Sequence, residues 1–331
     1  MIGELGRREL IVLGAGAVLS ASGSEVSAPA GRGQGDIAAA AGGKGQFLLG
    51  LNTSTIRGQK LSIVEEIELA RKAGYQAMEP WIDELEHYAA GGGSLEDLGK
   101  RFRDAGISVE SAIGFFDWVV DDQERRRKGL ESARRSMDLL GRLGGKRLAA
   151  PPVGATVKRM PDMLPIAERY RTLLEIGDQL GVVPQVEVWG GSKTLSRLGE
   201  AAQVAIESQH PKACILPDVY HLYRGGSGFE GIKLLGRESI HVFHFNDYPA
   251  DPPREQATDA DRVYPGDGVA PLKALIRDLS AGGFHLTLSL ELFNRKLWSQ
   301  DPFTVVKVGL EKMKALVQES LGRSEDKPAR G

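Results

Sequence analysis

The sequence predicts an α/β chain that closes into a single-domain (β/α)8 TIM barrel, and three observations predict it. Short apolar, β-rich segments alternate eight times with amphipathic helical segments between residues 46 and 320. That alternation is the pattern of a parallel sheet with helices outside it. At about 34 residues each, the units have the size of βα modules, and eight of them suffice to close a barrel. Finally, Glu187, Asp218, His244 and Glu291 all fall at the carboxyl ends of strands five to eight. In a barrel those ends converge on one mouth, whereas an open doubly wound sheet would string them along an edge.

The elements follow in order. Residues 47–52 form the first strand. Ile63, Ile67 and Ala70 repeat at helical spacing through 63–73, and Gly74 supplies the C-cap. Strand two is expected at 76–81 and its helix at 95–105, stopped by Gly106; strand three at 107–114, with a charged helix at 122–143 ending at Gly144 and Gly145. Strand four, 146–150, runs into Pro151 and Pro152, and the helix at 163–180 is capped by Gly181. The fifth unit pairs 182–189 with 195–208, and the sixth pairs 213–218 with a short helix near 229–235. Strand seven, 239–246, leads into a long loop, 247–268, dense in Pro, Asp and Arg. Pro271 opens the next helix and Gly282 and Gly283 close it. Strand eight is expected at 285–293 and the closing helix at 302–316.

The flanks read differently. Arg7 and Arg8 precede an apolar run over 10–21, and Ala28-Pro29-Ala30 offers a small-residue cleavage site. This is the layout of an export signal over residues 1–30, and the paired arginines suggest the twin-arginine route to the periplasm. Without a working signal the barrel would be cytoplasmic. The apolar run, about 12 residues long, is too short to span a bilayer. Residues 31–45 read as a Gly/Ala-rich linker and 321–331 as a polar tail.

Composition excludes several classes. The chain has 331 residues, 41% hydrophobic and 26% charged, with a net charge of −2. No basic field favours nucleic acid. Cys214 is the only cysteine, so no intrachain disulfide forms. Leu13-Gly14-Ala15-Gly16 lacks both a preceding strand and a third glycine, so it is not a dinucleotide loop. Whether the barrel associates with itself is left open.

Each strand-end group has an ordinary explanation by itself: a glutamate on a half-buried strand, a helix-capping aspartate, a core histidine. Four of them at the same end of successive units form a metal site. One imidazole and three carboxylates suit one divalent ion, Mn²⁺, Co²⁺, Zn²⁺ or Mg²⁺. His221, three residues past Asp218, has left the strand and can lean over the mouth toward a substrate. Arg262, in the loop after strand seven, is placed to hydrogen-bond substrate oxygens. Such an ion with two carboxylates on opposite sides suits proton shuttling on a polyol ketone through an enediolate, with Glu187 and Glu291 as the acid–base pair.

The order Glu187, Asp218-x-x-His221, His244, Glu291 resembles the xylose isomerase-like barrels of sugar isomerases and epimerases. Within them it is most similar to the inosose isomerases (2-keto-myo-inositol isomerases). The resemblance spans about residues 47–318 and is strongest at 218–227, 244–247, 261–268 and 289–293. It implies metal ligation by Glu187, Asp218, His244 and Glu291, acid–base roles for Glu187 and Glu291, and substrate contacts from His221 and Arg262. Asn52 matches the family's first strand end and is expected to line the mouth. Lyases of the same fold, such as inosose dehydratases, share the tetrad. Two further readings are a catalytically inactive, exported sugar-binding barrel and a phosphodiesterase like the apurinic endonucleases. The first has no need of both Glu187 and Glu291. The second needs more histidine ligands than the six histidines supply, and a basic groove.

Overall fold

The computed structural model describes residues 45–322. The expected export signal, the linker apart from Gly45, and the tail from residue 323 lie outside the described residues. Among the described residues no helix is long and apolar enough to cross a membrane.

Eight parallel strands form the barrel: β1 Gln46–Asn52, β2 Ala77–Glu79, β3 Ser108–Val109, β4 Arg147–Ala150, β5 Val183–Glu187, β6 Ile215–Leu216, β7 Val242–Phe245 and β8 His285–Leu290. Ten α-helices are described with them. They are α1 Ile63–Ala73, α2 Ile82–Ala90, α3 Leu95–Asp104, α4 Gln123–Leu143, α5 Leu164–Leu180, α6 Leu198–Glu207, α7 Val219–Arg224, α8 Leu272–Ala281, α9 Arg295–Trp298 and α10 Pro302–Leu321. The hydrogen-bonded ladders fall into two arcs, β3-β2-β1-β8-β7 and β4-β5-β6. Single bridges join them: Ala112 to Leu148 on one side, Ile215 to Ile240 and Asp218 to His244 on the other. The ring is thereby closed, as the alternation predicted.

The eight expected units are all present, and the strands are shorter than the apolar runs suggested. Barrel curvature lets neighbours pair over a few residues only, so β3 continues past Val109 as isolated contacts at Ala112 and Ile113. Three α-helices were not expected: α2, α7 and α9. A 3-10 helix, Thr53–Gln59, fills the connection after β1. The segment near 229–235 is a 3-10 helix rather than an α-helix. The closing helix runs to Leu321, one residue past the expected end of the barrel.

Local chemistry sets the helix ends. Ser62 and Glu65 form a capping box at the start of α1, and Gly74 ends it in the left-handed region at φ 94°. Gly144 and Gly181 end α4 and α5 in the same way. The helices lay one apolar face on the strands; Leu98 and Phe102 of α3 and Met137 and Leu140 of α4 are buried there. A smaller cluster of Ile113, Ala149, Leu216 and Val242 packs separately, with Trp81 against it.

Candidate metal centre and active site

The carboxyl ends of β1, β2, β5, β6, β7 and β8 deliver Asn52, Glu79, Glu187, Asp218, His244 and Glu291 to one buried cluster. Asp218 lies just past β6 as the N-cap of α7: its Oδ1 accepts the His221 backbone N–H at 2.8 Å. That cap explains the Asp-x-x-His spacing, because an N-cap carboxylate reaches the third helical amide. The other oxygen of Asp218 accepts from Asn246 Nδ2 at 3.1 Å and Arg262 Nη1 at 2.8 Å. Asn246 in turn accepts the Tyr220 backbone N–H.

His244 stands at the centre, fully buried. Its Nδ1 lies 3.1 Å from Glu291 Oε2, 3.6 Å from Asp218 Oδ2 and 3.7 Å from Glu187 Oε1. Its Nε2 lies 3.0 Å from Glu79 Oε2. Asn52 Nδ2 donates to Glu79 Oε2 at 2.8 Å and to Glu291 Oε1 at 3.3 Å, and its oxygen accepts from Trp81 Nε1.

Arg262 comes from the loop after β7 and is 1% exposed. Its guanidinium lies over the rings of Tyr220 and Phe293. Nη1 donates to Asp218 and, at 2.6 Å, to Glu291. Nη2 donates to Asp259 at 2.6 Å and lies 3.1 Å from His221 Nε2. All four Nη hydrogens are therefore engaged by protein, and Nε–H is the donor left over. The expected contact with substrate oxygens has only that one hydrogen available; the arginine instead ties three carboxylates and His221 together.

Burial and charge set the protonation states. Burial pushes the Glu187 carboxyl up to about 8, with Glu291 and Asp218 adding to the effect against the opposing pull of His244. Burial likewise raises Glu291. It would raise Asp218 too, but the Arg262 guanidinium first and then the charge and hydrogen bond of His244 hold that carboxyl well below the usual range. Glu79 is also lowered: burial, the largest single influence, acts upward, and the charge of His244 together with hydrogen bonds, Ser289 among the donors, outweighs it. His244 itself, which burial would discharge, is raised well above its ordinary value by Glu291 and Glu79. Burial lowers His221 to about 4, so its ring is neutral. With Nε2 accepting from Arg262, its proton sits on Nδ1, which has no partner among the described residues.

The donor set fits a divalent cation. Asp218, His244 and Glu291 each offer one atom, all within 4.8 Å of one another. His244 Nδ1 and Glu187 Oε2 are buried without hydrogen-bond partners, a costly state that an ion among the carboxylates would relieve.

A family model described as the xylose isomerase-like TIM barrel matches residues 67–316. The chain belongs to that family. An inosose isomerase of Bacillus velezensis is 27% identical over 262 residues, covering 77% of this chain and 92% of the relative. A 3-dehydroshikimate dehydratase of Pseudomonas aeruginosa is 27% identical over 247 residues, 70% of this chain but 36% of that longer protein. Among solved structures, the IolI protein with a bound zinc atom superposes with a TM-score of 0.76 at 22% identity, covering 83% of this chain and 99% of that one. A 3-dehydro-D-guloside 4-epimerase of Escherichia coli is 21% identical over 224 residues, so the named relatives are an isomerase, a dehydratase and an epimerase.

In this xylose isomerase-like barrel the cluster floors a cavity of about 470 Å³. Glu187, Glu291, His221 and Arg262 face it. Its walls are aromatic: Trp81 packs against Phe115 and Phe293, and Phe115 against Trp189. Asn52 is fully buried and not among the residues lining the cavity; it reaches the lining through its hydrogen bonds with Trp81 and Glu291. His241 and His285 lie at the amino-terminal ends of β7 and β8, away from the cluster.

Glu79 is the residue the sequence reading passed over. Its signal was present, since Ala77-Met78-Glu79 ends an apolar run with a carboxylate as strands five and eight do. Extending strand two to Trp81 hid it in mid-strand. Asn246 and Asp259 carried no comparable signal, because their partners are fixed by loop closure.

Proposed function

We propose that this barrel is a divalent-metal-dependent isomerase or epimerase of a keto-polyol or keto-sugar such as an inosose, working by proton transfer through an enediolate. The observation that carries the reading is the pair Glu187 and Glu291, both facing the cavity beside His244 Nδ1 and both raised toward neutrality by burial. Glu187, Asp218, His244 and Glu291 would hold the ion. When bound, it would polarise a carbonyl and a neighbouring hydroxyl and acidify the C–H between them. One glutamate takes that proton and the other returns one, to the adjacent carbon in an isomerase or to the opposite face of the same carbon in an epimerase. His221 Nδ1–H donates to a substrate oxygen. Arg262 holds Asp218 and Glu291 in place, and the aromatic walls exclude water from the reacting carbon.

The test is deuterium exchange in D₂O across a panel of inososes and ketohexoses with added Mn²⁺. Wild type is expected to exchange the proton next to the ketone of at least one of them. Glu291→Gln is expected to lose that exchange by about 10²-fold or more while still folding. Wild-type-like exchange in the variant would remove the acid–base role. A second reading, a dehydratase, is favoured by the 27% identity to a dehydratase. It predicts loss of water from the same substrates, visible as ultraviolet absorbance of an enone, in place of exchange without net loss.

A further inference from the structure

The imidazole of His244 has two occupied sides. Nδ1 turns toward Glu291, Asp218 and Glu187, and Nε2 turns to Oε2 of Glu79. Glu79 is 2% exposed, and among the described residues His244 is its one ion-pair partner. Two neutral donors fix the same oxygen from neighbouring strands: Asn52 Nδ2 and Ser289 Oγ, each at 2.8 Å. The Nε2 contact is close but off the ring N–H axis, so it is ionic rather than a linear hydrogen bond.

We infer that Glu79 is the positioning residue of the metal centre: it keeps a proton on Nε2 of His244, so that Nδ1 turns its lone pair to the divalent cation. The inference rests on the metal reading above. A buried carboxylate facing an unprotonated nitrogen would be strongly disfavoured, so Glu79 selects the Nε2–H tautomer. Metal-bound histidines commonly give their second N–H to such an acceptor, which fixes the ring's orientation and raises its basicity. Glu79 also reaches β1, β7 and β8 through its three contacts, so a purely structural role is the rival account.

The experiment titrates the full chain, stripped of metal, with Co²⁺. It compares wild type, Glu79→Gln and Glu79→Asp, following the visible absorption of the bound ion. Wild type is expected to bind. Glu79→Gln is expected to bind about ten- to a hundredfold more weakly, with an altered Co²⁺ spectrum and an unchanged far-ultraviolet circular dichroism spectrum. Glu79→Asp is expected to recover part of the affinity, because it restores the charge. A folded Glu79→Gln protein with wild-type affinity and spectrum overturns this inference alone. Wild type that binds no Co²⁺ overturns the metal reading and the inference together. Should Glu79→Gln fail to fold, ¹⁵N NMR of the His244 ring in zinc-loaded wild type decides. A protonated Nε2 with zinc on Nδ1 is expected, and the reverse overturns the inference.

Discussion

Arg262 shows how far single residues could be read. Its loop drew notice as a polar cluster, but its partners lie 44 and 29 residues away, and no spacing rule joins them. Glu187, Asp218, His244 and Glu291 were legible because each ends an apolar run, where a polar group needs a reason to be buried. Asn52 was expected at the mouth by resemblance alone, and it lies instead beneath the cavity lining, bonded to Glu79, Glu291 and Trp81. Arg262 neutralises Asp218 and Glu291 within a dry site, so removing it leaves two buried carboxylates with one fewer cation. Arg262→Met is expected to destabilise the ion-free protein by about 3–5 kcal/mol. Adding Zn²⁺ should recover part of that loss, because the ion supplies the missing positive charge; thermal unfolding with and without Zn²⁺ measures both.

At the scale of elements, the long helices were legible and the short ones were not. Glycine stops and 3.6-residue periodicity marked α1, α3, α4, α5 and α8 within a residue or two. α7 has six residues and begins at Val219, directly after the expected end of strand six, in a stretch too short to show helical periodicity. It exists because Asp218 caps it and because its end packs on the loop after β5. Gly225, at its C-cap, lies so close to that loop that a Cβ there would collide with the Ser196 carbonyl, and a Cβ on Gly190 would collide with the carbonyl of His221. Gly225→Ala is therefore expected to cost about 1–3 kcal/mol by overpacking. Denaturant midpoints give that number. Because α7 carries His221, the variant should also weaken substrate binding more than it slows proton exchange at saturation.

At the scale of the molecule, the count and alternation of units sufficed for the barrel, because closure follows from eight parallel βα modules whatever their sequences. What could not be read was the burial of charge away from the mouth. Glu66 of α1 is 2% exposed, and one of its oxygens has no partner. Burial, reinforced by Glu84, pushes its carboxyl up to about 9. The folded protein then holds a proton that the unfolded chain releases above its ordinary value of 4.5. The contribution of Glu66 to stability is therefore expected to fall as pH rises between about 4.5 and about 9, by up to about 1.4 kcal/mol per pH unit. Glu66→Gln should flatten that slope, leaving the two proteins alike near pH 4 and the variant more stable at pH 8. Urea midpoints across that range test it, and parallel slopes for both proteins would refute it.

The two arcs of the barrel give the cluster a mechanical meaning. β4, β5 and β6 carry Glu187 and Asp218, while the five-stranded arc carries His244, Glu291 and Glu79. An ion held by all four ligands, like Arg262 beside it, would therefore rivet one arc to the other across the thin seam between β6 and β7. The opposite seam, between β3 and β4, is crossed by ion pairs of Glu110 with Lys146 and Arg147, and none of the four candidate ligands spans it. Hydrogen exchange should report the asymmetry. On adding Zn²⁺ at about 100 times its dissociation constant, the His244 amide, bonded across the first seam to Pro217, should slow by up to about 100-fold. The Ala149 amide, bonded across the second to Ala112, should slow less. A barrel loaded with its ion would then open first on the side away from its chemistry.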